Sequence, residues 1–520
     1  MKKIYNIIII STLLLIFLVG CGPSGGNNVI EVSELKNVTV KILLPGDYNP
    51  RGYDDVIEEI NYQLKASNRP YKVEFTFLSE TDYHQRLPLR INDGYDAAFV
   101  HSDNFDYYLS QNILRDAKPY LEEYGQVLLD NTPSFSWKQV TRNDKIYAIP
   151  RNAPLSDNQA TLAIRKDWME EYNLDKVETL QELELYFAHT YNKVSETETE
   201  FDYVYTADNH FEFLYREYAP SFYFPLINYA ARPLYIDLAN KEDGKYVVKS
   251  YYESEEFIDF ITKTRTYFRP LNYVPESTPS NTGALFNANM LGAVWNTLLK
   301  TSERIDEFMK VQIGSFNNPN AGIYDVYLNP NEPRYLVTGT ENMMALLSKG
   351  SNPNETVDFL NWIRSSQDNH DLVSYGIKDL NYELDENGRI DFSNIRNDKR
   401  YADTMPYWAF NDYRFVRFSV YLSEEYIESR INWDNSPNLV ITDLVGFSVD
   451  LSGLEIQTLY SNVKAVEAIP VANMIDGRLD YLEIVNNKTR YERLIDDLND
   501  AGLQRLIELI QQQLDNYLEQ

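Results

Sequence analysis

Five polar side chains follow apolar, β-rich segments near the start of the chain, where they could bind the hydroxyl groups of a ligand. They are Asp47, Tyr48, His101, Asp103 and Asn104. A carboxylate such as that of Asp47 accepts two hydroxyl protons, and the amide of Asn104 both donates and accepts hydrogen bonds. Aspartate after a strand also commonly caps the next helix, so helix capping stays open as an alternative for Asp47 and Asp103.

The sequence contains no set of residues whose types and spacing predict catalysis. It lacks a Gly-x-Ser-x-Gly elbow between a strand and a helix, a His-Glu-x-x-His zinc motif and a phosphate-binding loop. The five histidines are scattered without metal-ligand spacing: His84, His101, His189, His210 and His370. Carboxylate pairs are abundant because 78 residues are acidic, so counting alone does not exclude a glycosidase. We predict a binding protein rather than an enzyme, with no cofactor.

Residues 385–391, DENGRID, resemble the first half of a calcium-binding loop. Arg389 occupies a position where such a loop needs an oxygen ligand, and Arg396 stands where its final glutamate would be. The Asn-Gly pair inside the segment is typical of a tight turn between two strands. We therefore predict a hairpin at this position and no metal site.

The first residues have the pattern of a bacterial export signal. Two lysines precede an apolar stretch, residues 7–19, which is shorter than the roughly 20 residues that a membrane-spanning helix needs. The stretch ends in LVGC, which resembles the lipobox, whose cysteine carries palmitate-type acyl chains after cleavage. Cys21 is the only cysteine, so it has no disulfide partner. We predict a signal peptide at 1–20 and a lipidated, flexible tether at 21–35; an ordinary secretory signal is the alternative.

Chain length and charge limit the architecture and the ligand class. Removing residues 1–20 from the 520-residue chain leaves 500, too many for one hydrophobic core, which indicates two lobes or more. The formal net charge of −30 argues against nucleic acid, whose phosphates would be repelled. It also predicts a preference for neutral ligands, although a local arginine cluster could override the global field. The 41 tyrosines suit core packing and sugar stacking equally, so their number does not distinguish these two roles.

Strand-like and helical segments alternate after the tether. Residues 38–44 and 73–77 are β-rich, and residues 53–64 between them have helical apolar spacing. A third apolar strand is predicted at 96–100. This order is typical of a parallel sheet with helices on its faces, where ligands bind beyond the carboxyl ends of the strands. Residues 494–514 are predicted to be helical.

Several segments match a known family in their order along the chain. The sequence GYDAAFV at 94–100 resembles the first lobe of extracellular solute-binding proteins of the sugar, maltose-binding-like type, which serve ABC importers. The sequence KIYAIPRN at 145–152 resembles the crossover of these proteins into their second lobe. The segments 361–372 and 498–515 are similar to the large lipoprotein branch associated with complex polysaccharide uptake. The resemblance spans most of residues 38–520.

The resemblance implies an α/β fold of two lobes, a Venus flytrap that is periplasmic-binding-protein-like and holds its ligand between the lobes. Each lobe is expected to be a mostly parallel sheet with helices on both faces, and the C-terminus is expected to be helical. The expected first lobe comprises 36–150 plus 312–372. The second comprises 151–311 plus 373–520. Ligand binding would shift an existing equilibrium between open and closed lobes.

The resemblance also places residues from later in the chain at the cleft. They are Arg151, Asn152, Trp295, Asn296, Tyr407 and Trp408. An interlobe salt bridge is the alternative role for Arg151. Core packing is the alternative for Trp295 and Trp408, because a lone tryptophan is more often part of a core than a sugar platform.

The function that the resemblance implies is capture of a carbohydrate and its delivery to the permease subunits of an ABC transporter. The protein would be a monomer, anchored to the outer face of the cell membrane through Cys21. A lipoprotein that binds a peptide or another solute is one alternative, and a ligand presenter to a membrane sensor is another. No nucleic-acid partner is expected.

Overall fold

A computed structural model gives the positions of side chains for most of the chain. The described residues are 35–46, 48–152, 160–195, 203–206, 208–227, 230–271, 273–274, 282–433 and 436–519. By its internal contacts the chain divides into Met1–Lys36 and Asn37–Gln520, and the fold below is that of the second unit. Among the described residues, no helix is long and apolar enough to cross a membrane.

The first lobe is built on a mixed sheet in the order β2-β1-β3-β10-β4. The strands of both sheets are β1 (Thr39–Pro45), β2 (Lys72–Leu78), β3 (Ala97–His101), β4 (Ile149–Pro150), β5 (Ala160–Arg165), β6 (Tyr203–Thr206), β7 (Tyr273–Val274), β8 (Leu291–Thr297), β9 (Ile323–Val326) and β10 (Asn342–Leu346). β1 pairs in parallel with β2 and β3, whereas β10 runs antiparallel to β3 and β4. The three strands predicted near the start of the chain are confirmed to within one residue at each end.

The second lobe has a sheet in the order β7-β6-β8-β5-β9. β6 pairs in parallel with β7 and β8, and β5 runs antiparallel to β8 and β9. The two-lobe α/β prediction is confirmed. Each sheet is evenly divided between parallel and antiparallel pairings, because the strands that lead into and out of each lobe run antiparallel to their neighbours.

Helices pack on both faces of the second sheet. Leu162 and Ile164 share one buried cluster with Phe187, whereas Ala163 between them faces a second cluster with Phe308. The longer helices are α1 (Tyr53–Ala66), α2 (Ser102–Ser110), α3 (Leu180–Ser195), α4 (Glu255–Lys263), α5 (Leu298–Phe316), α6 (Pro353–Ile363), α7 (Gln367–Ser374), α8 (Glu424–Trp433), α9 (Leu454–Glu467), α10 (Arg490–Asp500) and α11 (Leu503–Leu518).

Shorter elements connect this framework. Small sheets pair Thr141–Arg142 with Lys145–Ile146, Leu234–Asp237 with Phe222–Tyr223 and Val248–Ser250, Arg334–Leu336 with Leu439–Ile441, Glu383–Leu384 with Ile390–Asp391, and Ile484–Val485 with Lys488–Thr489. Short helices cover Tyr83–Arg86, Lys118–Tyr124, Gln126–Asn131, Ser134–Val140, Lys166–Glu171, Tyr215–Tyr218, Thr282–Asn287 and Pro470–Ile475.

The predicted hairpin at 385–391 and the predicted helical C-terminus are both confirmed. The Asp385 carboxylate accepts hydrogen bonds from the backbone N–H groups of Asn387 and Arg389, at 2.9 and 2.8 Å, which closes the turn. At the C-terminus, the apolar faces of α10 and α11 belong to the core of the second lobe. Gly502, at φ 97°, separates these two helices in a left-handed conformation that favours glycine.

The chain passes between the described parts of the lobes at three points, and these lie side by side. The backbone N–H of Arg151 donates to the carbonyl of Asn342 at 3.2 Å, which joins the first crossing to the second. The backbone N–H of Tyr413 donates to the carbonyl of Asn152 at 2.7 Å, which joins the third crossing to the first.

Asp412 stabilises this junction from within. It is fully buried, and its carboxylate accepts hydrogen bonds from the Asn152 amide at 2.9 Å and from Arg414 at 2.8 Å. Burial acts to raise the pKa of Asp412, but the hydrogen bonds of Arg414 and the charges of Arg364 and Arg414 lower it below its ordinary value. The carboxylate is therefore ionised and holds two crossings together.

Two of the predicted lobe boundaries, at residues 312 and 373, lie later in the structure. β9 pairs antiparallel with β5 in the second sheet, so the chain returns to the first lobe only after residue 326. The segment after α7 also stays on the first lobe, where the ring of Phe410 lies 5.7 Å from that of Phe75 in β2.

Asp96 connects three parts of the first lobe. It is 2% exposed, and its carboxylate accepts hydrogen bonds from the backbone N–H groups of Lys41, Ser351 and Asn352 at 2.8–3.0 Å. Lys41 lies in β1, and the other two residues precede α6. One side chain thus fixes the start of a helix against an inner strand of the sheet.

Replacing Asp96 with alanine should destabilise the protein strongly. Alanine cannot accept the hydrogen bonds of these three backbone N–H groups, and a hydrogen bond to a charged group contributes about 1.5–3 kcal/mol, so we expect a loss of about 3 kcal/mol or more in the free energy of unfolding. Urea denaturation measures the loss. Asp93→Ala is the matched control, because Asp93 forms a half-exposed ion pair with Arg90. Equal unfolding midpoints for the two variants would contradict the assigned role of Asp96.

Candidate functional site

A cavity of 630 Å³ lies between the lobes. On the first lobe it is bounded by Gly46 and Tyr48, just beyond the carboxyl end of β1. On the second lobe it is bounded by α5, through Asp306 and Lys310, and the segment 375–419 supplies much of the remaining wall. We call this space the interlobe cavity.

Aromatic rings supply much of the apolar wall of the interlobe cavity. They are Tyr48, Tyr375, Phe392, Tyr407, Trp408, Tyr413 and Phe418. Tyr48 is 64% exposed, whereas Trp408 is fixed by Phe99, with ring centroids 4.8 Å apart in an edge-to-face arrangement. Flat apolar rings beside polar groups suit a ligand that has both C–H faces and hydroxyls. The predicted residues Tyr48, Asn152, Tyr407 and Trp408 thus line one cavity.

The charged lining of the interlobe cavity is nearly balanced. Its cationic residues are Arg51, Lys310, Arg400, Arg417 and Arg430, and its acidic residues are Glu80, Asp306, Glu307 and Asp403. The Asp403 carboxylate lies 3.4 Å from Arg51 and 3.1 Å from Arg400, so one acid serves two guanidinium groups. Paired charges of this kind present donors and acceptors to a ligand without a large excess of either sign.

Asp306 and Asp403 titrate above the ordinary range of aspartate. Burial raises the pKa of Asp306 to about 6, against the hydrogen bond from Ser419 and the charge of Arg400, which lower it. Burial also raises the pKa of Asp403, opposed by the charges of Arg400 and Arg51. Near neutral pH the Asp306 carboxylate is therefore ionised and accepts hydrogen bonds, and in mild acid it gains a proton.

His101 and Asp103 lie outside the lining of this cavity, in a polar cluster at the end of β3. His101 is the N-cap of α2, and its Nδ1 lies 3.4 Å from the Asp103 carboxylate. Burial acts to lower the pKa of His101, but its hydrogen bond to Asp103 and the charges of Asp103 and Glu341 raise it above its ordinary value. Since His101 caps the helix, the Asp103 side chain, 81% exposed, has no capping role.

Trp295 approaches the same cluster from the second lobe. Its ring N–H donates to the Glu212 carboxylate at 3.2 Å, and Glu212 pairs with Arg232 at 2.9 Å. The charges of Glu212, from the second lobe, and of Arg151 and His101, from the first, all act on Glu341. The polar cluster therefore has members in both lobes.

The remaining predicted residues have different surroundings. Arg151 is 3% exposed, within the first crossing, and Asn104 is half-buried in the first turn of α2. Asn296 is fully buried and its amide donates to Thr301 and Asp325, at 2.5 and 2.7 Å, so its side chain bonds within the second lobe here, and its contact with ligand stays a prediction. Asp47 and Cys21 lie outside the described residues.

The sequence did not reveal several residues that the fold brings to these sites. Arg51, Asp306 and Asp403 meet across the interlobe cavity although about 100 to 350 residues separate them along the chain. Glu212 follows a segment with no recognisable motif. Charged residues are so frequent in this sequence that only the tertiary pairing distinguishes these from the rest.

The described fold is similar to those of solved sugar-binding proteins. The N-glycan transport solute-binding protein NgtS of Streptococcus pneumoniae, solved in complex with Man1GlcNAc, is 15% identical, with a TM-score of 0.68, and the match covers 93% of this chain and 100% of that one. The alginate-binding protein AlgQ2 is 15% identical, with a TM-score of 0.57 and coverages of 93% and 99%. The FusA substrate-binding protein of S. pneumoniae, solved with kestose, is 11% identical, with a TM-score of 0.57 and coverages of 92% and 99%.

At these identities the similarity shows the fold, which is that of the two-lobe solute-binding proteins of ABC transporters. It confirms the fold that the resemblance in the sequence implied. No protein-family model matches the chain, and no curated protein sequence matches it significantly.

Replacing Asp306 with asparagine should stabilise the protein at neutral pH and leave it unchanged in acid. The pKa of Asp306 rises from 3.8 to about 6 on folding, so the folded state favours the protonated carboxyl, and ionisation above about pH 6 costs stability. Asparagine removes that cost, which should raise the free energy of unfolding at about pH 8 by about 1–3 kcal/mol.

Urea denaturation between about pH 4 and pH 8 measures the effect. The gain should shrink as the pH falls through 6 and vanish near pH 4. The same substitution at the exposed Asp130 is the control. A gain that is independent of pH would contradict the titration assigned to Asp306.

Proposed function

We propose that this protein captures an oligosaccharide between its lobes and delivers it to an ABC importer. The observation that carries the proposal is the interlobe cavity, where aromatic rings stand beside paired carboxylates and guanidinium groups at the carboxyl end of β1. Solved proteins of the same fold include binders of Man1GlcNAc and kestose. The absence of a catalytic motif in the sequence supports a binding role rather than an enzymatic one.

Binding would draw the lobes together around the ligand. The three crossings lie side by side, so a small rotation of their backbone would move one lobe relative to the other. Ligand contacts that join Tyr48 and Trp408 on the first lobe to Asp306 and Lys310 on the second would favour the closed arrangement. The permease would then distinguish the closed, loaded form from the open one.

We also propose that the protein is a monomeric lipoprotein held at the outer face of the cell membrane by Cys21. The support is the sequence alone: a positive start, a short apolar stretch and a lone cysteine after LVG. Several acyl chains together give a stable anchor, whereas one binds only marginally. A flexible tether after the cysteine would let the lobes reach the permease.

Two other binding functions remain as alternatives. A peptide-binding protein would need fixed partners for the charged termini of its ligand, and a ligand presenter to a membrane sensor would bind the same sugar without importing it. Binding of a glycan would distinguish the proposed function from peptide binding. Loss of sugar uptake when the protein is deleted would distinguish import from presentation of the sugar to a sensor.

Replacing Trp408 with alanine should weaken oligosaccharide binding about ten-fold or more, because removal of a central aromatic contact commonly costs about 2 kcal/mol. A glycan panel screened by thermal shift identifies the ligand, and calorimetry then measures the dissociation constant. Tyr62→Ala, at a tyrosine that is 63% exposed on α1, is the control. The carbohydrate function is refuted if peptides, and no glycan, raise the melting temperature.

Replacing Cys21 with alanine should release the protein from the membrane. The variant lacks the sulfur that would carry the acyl chains, so it should move from the membrane fraction to the medium and lose incorporation of a labelled palmitate analogue. Cell fractionation and the label measure both effects. Continued labelling of the variant would contradict lipidation at this residue.

A further inference from the structure

A second cavity, of 310 Å³, lies in the second lobe beside Glu212, the partner of Trp295. Three guanidinium groups line it, from Arg216, Arg232 and Arg334, whereas Glu212 is the acidic residue in its described lining. The arginines are only 4–9% exposed. In this aromatic–arginine cavity the described lining thus has three guanidinium groups and one carboxylate, whereas the charged lining of the interlobe cavity is nearly balanced.

The protein holds these arginines in fixed positions. Arg216 donates to the backbone carbonyls of residues 328, 329 and 333, at 2.9–3.3 Å. Arg232 pairs with Glu212 at 2.9 Å and lies over the ring of Tyr215, 4.4 Å from its centroid. Carbonyl dipoles and an aromatic face orient a guanidinium without neutralising it, and unbalanced charge is costly away from water. The cavity is thus electrostatically suited to an anionic group.

Aromatic and apolar side chains form the rest of the wall. The rings are those of Tyr215, Phe222, Tyr223, Phe224 and Tyr335, with Ile227 at 58% exposure among the apolar residues. The volume is at the lower end of the roughly 300–1,000 Å³ typical of ligand pockets, which suits one ring rather than a chain. Flat rings beside guanidinium groups suit a sugar unit that carries a carboxylate.

The aromatic–arginine cavity adjoins the polar cluster between the lobes. Glu212 lines it and also bonds to Trp295, while its charge acts on Glu341 of the first lobe. The charge of Asp103, also from the first lobe, acts on Tyr223 in the cavity wall. The cavity and the polar cluster thus share Glu212, so a ligand that contacts the cluster would meet the cavity at this residue.

We propose that the aromatic–arginine cavity binds a terminal sugar unit that carries a carboxylate, such as a hexuronic acid. This inference rests on the proposed oligosaccharide function. It differs from the preference for neutral ligands that the net charge predicts. Surface charges are screened over about 8 Å at physiological salt, whereas the buried guanidinium groups act at contact distance in a medium of lower polarity.

The test compares two forms of the same ligand on the detergent-solubilised full chain. The probes are oligouronides of two to four units and the same oligouronides after chemical reduction of their carboxyl groups to alcohols. We expect the acidic form to bind about ten-fold tighter or more at low salt, since charge-assisted hydrogen bonds contribute differences of this size. The preference should fall as NaCl is added.

Two variants of one ion pair give opposite predictions. Arg232→Gln removes a positive charge and should abolish the preference for the acidic form, whereas Glu212→Gln removes the carboxylate of the cavity and should increase the preference. A merely structural ion pair would weaken both forms equally in both variants, and that result would overturn the inference. If Arg232→Gln fails to fold, the salt dependence and the Glu212→Gln variant distinguish recognition of the carboxylate from a merely structural ion pair.

The failure of this inference is distinct from the failure of the proposed function. Binding of the reduced or of other neutral oligosaccharides, with no gain from a carboxylate, overturns the acidic terminal unit and leaves carbohydrate capture intact. A complete lack of binding to the glycan panel, which includes both probe forms, overturns carbohydrate capture and this inference with it.

Discussion

The three adjacent crossings between the lobes constrain the rest of the structure. Backbone groups at these points lie between the two sheets and cannot all be satisfied by strand pairing, so Asn152, Asn342 and Tyr413 bond to one another's segments instead. Asp412 adds an ionised, fully buried carboxylate to this junction. Burial of a charge costs free energy unless opposite charges lie close to it, and Arg414 and Arg364 supply positive charge next to Asp412. Both lobes, and the cavity between them, take their relative positions from this small set of bonds.

Local sequence patterns predicted the fold where local forces decide it. Composition rich in β-forming, apolar residues located β1 and β3, which are buried over most of their length, and alternation of apolar and polar residues located β2. The boundary at 312 was misplaced because β9 joins β5 across more than 150 residues, and the boundary at 373 because Phe410 packs on Phe75 of β2. No local signal marks contacts over such separations in sequence. The same period of two sets the surroundings of Asn296. It follows Trp295 on β8, and neighbouring residues of a strand point to opposite faces, so one reaches Glu212 while the other bonds to Asp325.

Charge operates on two length scales in this protein. The net charge of −30 is spread over the whole chain, where salt screens it, and it keeps copies of the protein apart in solution. Inside the molecule, acids such as Asp403 and Glu212 are paired with particular arginines. The overall composition therefore describes the surface better than the two cavities, where local pairing sets the charge of the lining.

The antiparallel pairing of β10 with β3 also sets the order in which the protein can be assembled. β10 begins 241 residues after β3 ends, so at about 5–20 residues per second a ribosome needs on the order of 12 to 50 s to produce the partner strand. Until then β3 has an open hydrogen-bonding edge made of apolar residues, the kind of edge that joins to other chains. Completion of the first sheet has to wait for the second lobe, so the protein matures as a whole and its N-terminal half cannot finish folding first.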